Sequence, residues 1–126
     1  MVLVQLLLAG VGGFIGSGFR FWMSTATYRV LGQDFPYGTL VVNVVGSFLI
    51  GFLMTIFEER FVISPNLRVF LTVGILGGFT TFSSFSYETV ALLREGSYWI
   101  GSANVLASVF TCLAVTWAGL AAGKLL

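Results

Sequence analysis

The chain has 126 residues, of which 57% are hydrophobic and 9% are charged, whereas soluble domains carry about 25% charged residues. A soluble domain of this size buries only about 60–70% of its unfolded surface, so this composition predicts an integral membrane protein. The absence of histidine, the single cysteine and the net charge of +1 exclude histidine chemistry, an intrachain disulfide, cysteine-rich metal sites and an electrostatic surface for nucleic acid.

Four apolar segments are each long enough to cross a bilayer, which takes about 20 residues. In chain order, the predicted spans are residues 2–23, 39–57, 67–93 and 98–120. The first span lacks a basic n-region and three more hydrophobic stretches follow it, so we do not expect it to be a secretory signal peptide. A polar loop is predicted from Ser24 to Gly38. Short loops leave no room for a second unit. The sequence predicts an all-α membrane protein, a single four-helix domain over residues 1–126 with both termini on one side.

Positive charges are divided almost evenly between the two sides of the predicted bundle. One side carries Arg60, Arg68 and Lys124, and the other carries Arg29 and Arg94, with Arg20 close to it. The positive-inside rule therefore gives little orientation. Either the insertion machinery orients the chain, or it inserts both ways and pairs with its inverted copy. Glycines crowd the first two spans, where they serve either packing within the subunit or an interface between subunits. The glycines are Gly10, Gly12, Gly13, Gly16, Gly18, Gly46 and Gly51.

The third span contains an unusual polar stretch from Gly77 to Ser86, which reads GGFTTFSSFS. Glycine, serine and threonine are poor residues for a lipid-facing helix interior. Non-helical backbone at membrane depth persists where it is buried in protein or lines a cavity, and it tends to mark ion sites. We therefore expect a broken helix around Gly77–Thr81. The alternative is a kink whose hydroxyl groups satisfy the freed backbone.

Polar and aromatic side chains follow the faces that would meet this break. Phe82 and Phe85 share a helix face, and their positive ring edges could replace part of the hydration of an anion; the alternative is ordinary packing. Asparagine amides are costly in hydrocarbon and should meet partners or water. Interhelical hydrogen bonding explains the same pattern. The two polar stripes are Thr39, Asn43 and Ser47 on the second span, and Asn104, Ser108 and Cys112 on the fourth.

Two charged residues lie near span ends. Arg20 either extends its charge to the interface or draws anions into a vestibule. Glu88 is a proton carrier, a partner for a basic group or a solvated residue. No acid pair and no nucleophile–base set is present, so we expect no enzymatic activity.

The stretch Gly77–Ser86 closely resembles the signature GGxTTFSTFS of the CrcB/Fluc fluoride channels, with Ser84 at a position where the family commonly has threonine. The resemblance extends over nearly the whole chain. It includes GTLVVN at residues 38–43, GFRFW at residues 18–22, and Glu88 with the ALL sequence at residues 91–93.

The resemblance implies a fluoride-selective channel for passive fluoride export in a prokaryotic cell membrane. The implied assembly is an antiparallel, dual-topology homodimer with two pores and no nucleic-acid partner. A structural sodium ion would lie on the backbone carbonyls of Gly77 and Thr80 from both subunits. Arg20 and Glu88 are vestibule or coupling candidates. The candidate fluoride path consists of Thr39, Asn43, Phe82, Ser84, Phe85 and Ser108.

Two other classes remain as alternatives. A small multidrug-resistance exporter has a similar size, but it needs a carboxylate in the first span, and residues 6–19 contain no acid. A non-transporting helical subunit would explain the glycines and hydroxyls, but not the grouping of phenylalanines around the break.

Overall fold

The computed structural model describes all residues from Met1 to Leu126, and it contains helices and no strands. Four helical segments are long and apolar enough to cross a membrane: Val2–Leu31, Tyr37–Glu59, Pro65–Arg94 and Tyr98–Lys124. The predicted all-helical architecture with four segments suited to membrane spans is confirmed.

Helix α1 (Val2–Leu31) continues about two turns beyond the predicted end of the first span. The residues expected to form a loop from Ser24 extend the helix instead, because neither glycine nor proline occurs between Ser24 and Gly32. The hydroxyl of Thr27 donates to the carbonyl of Met23 at 2.8 Å and so stays on the helix. The helix ends at Gly32, whose φ of 84° is readily adopted only by glycine.

Helix α2 (Tyr37–Glu59) follows a short turn, and the third span begins at α3 (Pro65–Arg68). The oxygen of the Ser64 side chain accepts a hydrogen bond from the N–H of Leu67 at 3.1 Å. Proline at the first helical position loses no intrahelical bond. Together these two residues fix where the third span starts.

The third span is interrupted in the middle. A π-helical segment, Val69–Leu76, and a short α4 (Gly77–Phe79) continue α3, and the helix resumes as α5 (Phe82–Arg94). Between them, Thr80 and Thr81 are extended, with φ values of −89° and −150°. The break lies within the expected range Gly77–Thr81 and is confirmed, whereas the π-helical segment was not predicted.

Helix α6 (Tyr98–Lys124) packs mainly on α2, while α1 packs mainly on the first half of the third span. Glycines permit both contacts. A Cβ on Gly12 would lie 2.6 Å from the carbonyl oxygen of Phe70, and one on Gly78 would lie 2.6 Å from that of Gly13. A Cβ on Gly51 would likewise lie too close to the carbonyl oxygen of Thr116. Most of the glycines therefore serve packing within one subunit, although Gly10 and Gly18 face open space.

The apolar side chains point mostly outward. Only 19 of the 126 residues are buried, and just four of these are apolar residues other than glycine and proline, while five are polar. The four are Val42, Leu76, Phe79 and Phe85. This distribution is the reverse of a soluble domain and suits a chain whose solvent is lipid.

Candidate functional site

Asn43 binds both backbone groups of Thr81 at the break in the third span. Its Nδ2 donates to the carbonyl of Thr81 at 3.0 Å, and its Oδ1 accepts from the N–H of Thr81 at 2.8 Å. These groups have lost their helical partners, and an unpaired backbone group at membrane depth is costly. The amide of Asn43 therefore stabilises the extended backbone from the neighbouring helix.

The break leaves two helix ends of opposite polarity beside each other. Carbonyl oxygens at the end of α4 carry partial negative charge, and N–H groups at the start of α5 carry partial positive charge. Arg20 meets the first end, because its Nε donates to the carbonyl of Gly78 at 2.9 Å. At the second end, the Thr81 hydroxyl oxygen accepts from the N–H of Ser84 at 3.1 Å. The break can thus attract a cation on one side and an anion on the other.

A groove of about 470 Å³ opens next to the break. Phe82 and Phe85 lie on it with ring centroids 5.4 Å apart and planes tilted by 48°. Phe82 is 77% exposed, whereas Phe85 is 9% exposed. Six of the predicted site residues line this groove: Asn43, Gly77, Thr80, Phe82, Phe85 and Ser108.

The other four predicted site residues line a second cavity of about 380 Å³: Arg20, Thr39, Ser84 and Glu88. The carboxylate of Glu88 accepts hydrogen bonds from the hydroxyls of Thr39 and Tyr28. Thr81 lines both the groove and this cavity. The structure therefore divides the predicted site residues into two groups that meet at the break.

The polar stripe on α6 points partly into the bundle. Asn104 is only 2% exposed, and its Nδ2 donates to the hydroxyl of Thr89 at 2.9 Å. The hydroxyl of Ser108 donates to Oδ1 of Asn104 at 3.3 Å. Asn104 thus makes interhelical hydrogen bonds, while Ser108 lines the groove.

Sequence reasoning missed several residues of the site. Tyr28 lies in a stretch expected to form a loop, so no pattern placed it beside Glu88. Thr81 was expected to lie in the break, but its role as the N-terminal cap of α5 was not predicted. Thr89 carries a signal, since its spacing of four residues from Phe85 places both on one helix face, but that spacing does not reveal its bond to Asn104.

The family of the chain follows from comparison with known proteins. The description "CrcB-like protein, Camphor Resistance (CrcB)" matches residues 7–120. The chain belongs to the CrcB family. Relatives of this CrcB protein named "Fluoride-specific ion channel FluC" include one from Geotalea daltonii, 48% identical over 119 residues that cover 94% of this chain and 96% of the relative. Another, from Geotalea uraniireducens, is 49% identical over 121 residues, which cover 96% of this chain and 98% of the relative.

A more distant CrcB relative with the same printed name comes from Agrobacterium fabrum. It is 44% identical over 122 residues, which cover 97% of this chain and 98% of that protein. The similarity therefore extends over all four helical segments and both cavities. Four segments suited to membrane spans and bacterial relatives identify a multi-pass protein of a prokaryotic cell membrane.

Proposed function

We propose that this protein is a fluoride-selective ion channel that exports fluoride passively and so lowers its cytoplasmic concentration. The observation that carries the proposal is the convergence of Asn43, Phe82 and Phe85 on one groove in a member of the CrcB family. Relatives at 48% and 49% identity bear the name of fluoride-specific channels. The family is one of ion channels rather than enzymes.

The proposed path uses neutral donors and ring edges instead of fixed charge. The amide of Asn43 and the hydroxyl of Ser108 can donate to fluoride, and the edges of Phe82 and Phe85 carry partial positive charge. Such contacts replace part of the hydration shell yet bind weakly enough for the ion to leave, as conduction requires. In this proposal Thr39 and Ser84 extend the path along the second cavity.

Arg20 and Glu88 define the electrostatics of the second cavity. The guanidinium of Arg20 would attract anions toward the break. The carboxylate of Glu88 is engaged by two hydroxyl groups, which leaves it a coupling candidate if transport proves to depend on protons.

A second, inverted copy of the chain would complete the site. Phe82 is 77% exposed, so a single subunit leaves the groove open on one side. The balance of positive charge between the two sides allows both orientations. An antiparallel, dual-topology homodimer would close two such grooves and form two pores.

A structural sodium ion fits the carbonyl oxygens at the break. The N–H of Thr81 donates to Asn43, so the carbonyl of Gly77 has lost the donor that an uninterrupted helix would give it. Gly77 is exposed on the single subunit. We propose that the carbonyls of Gly77 and Thr80 from both copies hold the ion, since hard cations prefer oxygen ligands. When bound, the ion would neutralise the partial negative charge that the α4 ends bring together.

The experiment that tests the function is efflux from liposomes that contain the purified protein, with fluoride and chloride compared side by side. We expect rapid fluoride efflux that does not change with pH, and no chloride efflux. Fluoride efflux that requires a proton gradient would replace the channel with a coupled carrier. A folded protein that moves neither ion would overturn the proposal.

The phenylalanine role is tested in the same assay. Phe82→Ile and Phe85→Ile should each reduce fluoride efflux, because isoleucine is apolar but has no positive ring edge. Phe110→Ile is the matched control, since Phe110 lies on α6 and is 66% exposed away from the groove. Intact efflux in both groove variants would contradict the role.

A further inference from the structure

A chain of buried hydrogen bonds connects the groove to the backbone of Phe85. Asn104 is 2% exposed, and Thr89 and Ser108 are each 7% exposed. The hydroxyl of Ser108 donates to Oδ1 of Asn104 at 3.3 Å, and Nδ2 of Asn104 donates to the hydroxyl of Thr89 at 2.9 Å. The hydroxyl of Thr89 in turn donates to the carbonyl of Phe85 at 2.8 Å.

The direction of these bonds is fixed by the hydrogens available. Thr89 has one hydroxyl hydrogen and uses it on the carbonyl of Phe85, so its oxygen can only accept from Asn104. The amide of Asn104 must therefore turn its nitrogen to Thr89 and its oxygen to Ser108. As a result the single hydroxyl hydrogen of Ser108 points to Asn104 and not into the groove.

This arrangement matters for an anion that passes Ser108. An anion can be bound only by the hydrogen of that hydroxyl, because the oxygen lone pairs repel it. To donate to the anion, Ser108 must release Oδ1 of Asn104. That oxygen is buried, and a buried acceptor without a donor is costly.

We propose that Asn104 is a positioning residue that competes with the permeating anion for the hydroxyl hydrogen of Ser108. The inference rests on the proposed fluoride function and specifies how one side of the groove sets the affinity for the ion. Asn104 weakens binding at Ser108, which favours release of the ion, and through Thr89 it holds the turn of α5 that carries Phe85.

The test is the concentration of fluoride that gives half-maximal efflux from liposomes. Asn104→Leu removes the competing acceptor at similar size. We expect the half-maximal concentration to fall about fivefold, which corresponds to the net contribution of one neutral hydrogen bond. Asn104→Ala should change it in the same direction and serves as the second variant if the leucine side chain prevents folding.

A double-mutant cycle with Ser108→Ala separates this role from a structural one. Once the hydroxyl is absent, adding Asn104→Leu should no longer lower the half-maximal concentration. Thr116→Val is the matched control, because the single hydroxyl hydrogen of Thr116 is shared between the carbonyls of Ser47 and Cys112 and makes no bond to Ser108. It should leave the half-maximal concentration unchanged.

The outcomes distinguish this inference from the function on which it rests. No fluoride efflux from the unmodified protein would overturn the proposed function and this inference together. Normal efflux from the unmodified protein, with an unchanged or higher half-maximal concentration in both Asn104 variants, would overturn this inference alone. An affinity gain that persists without the Ser108 hydroxyl would also overturn it.

Discussion

Asn43 joins residues that are 38 positions apart in the chain and replaces both backbone partners that Thr81 loses at the break. A primary amide has two N–H donors and an oxygen with two lone pairs. One donor and one lone pair are used on Thr81, and the second N–H is left for the groove that Asn43 lines. A structural role and the proposed contact with fluoride are therefore compatible in a single side chain.

The structural role of Asn43 predicts a loss of stability on substitution. Asn43→Leu would leave the half-buried N–H and carbonyl of Thr81 without this partner. A fully buried orphaned group costs about 1–3 kcal/mol, so the two half-buried groups together should cost about that much. We expect a clear fall in the midpoint of thermal unfolding in detergent, followed through tryptophan fluorescence. Asn66→Leu is the matched control, since Asn66 lies in α3 at the start of the third span. Equal midpoints for the two variants would show that the amide does not support the break.

At the scale of the helical elements, the end of α4 depends on Arg20 from α1. Its Nε donates to the carbonyl of Gly78 across 58 positions of sequence, and cations are favoured at helix C-termini. Arginine within an apolar span was expected either to reach the interface or to line a vestibule. The structure shows its guanidinium on the carbonyl of Gly78, where it caps the broken helix.

Removing this cap should loosen the break locally. In Arg20→Leu we expect backbone amides at residues 77–81 to exchange hydrogen about ten- to a hundredfold faster, because hydrogen bonds to charged groups contribute roughly 1.5–3 kcal/mol. Exchange in α6 should not change. Arg29→Leu is the control, since Arg29 is exposed in the last turn of the same helix. If peptides over the break exchange at the wild-type rate in Arg20→Leu, the cap contributes nothing.

The break could be predicted from sequence because its cause is local. Two glycines followed by hydroxyl residues weaken a helix wherever they occur. The π-helical segment Val69–Leu76 has no such signal. It packs on α1, where Gly12 and Gly16 come so close to its backbone that neither can carry a Cβ. Contacts between distant residues, such as those of Tyr28 with Glu88 and of Asn104 with Thr89, are likewise set by packing and not by spacing.

At the scale of the whole molecule, the proposed second copy would cover features that one subunit leaves exposed. Phe82 is 77% exposed beside an open groove, and Gly77 is exposed at the break. Lipid would satisfy the phenylalanine ring but could not supply oxygen ligands or a polar wall to an ion. An inverted copy would supply both. The basic residues outside the break are Arg60, Arg68 and Lys124 on one side and Arg29 and Arg94 on the other, a small difference that allows both orientations.

The proposed dual topology predicts that fluoride efflux can be abolished and restored by charge alone. Arg29→Gln with Arg94→Gln leaves the three basic residues of the other side unopposed and should fix one orientation, whereas Arg60→Gln with Lys124→Gln should fix the other. Each double variant expressed alone would lack its inverted partner and should lose fluoride efflux from cells. Expressed together, the two should pair and recover it.

These substitutions lie at loops and helix ends, away from the break, so a loss of efflux that co-expression restores would reflect orientation and not chemistry. The orientation of each double variant is measured by labelling a cysteine added at the C-terminus. Full efflux from a double variant that is present in a single orientation would contradict the antiparallel dimer.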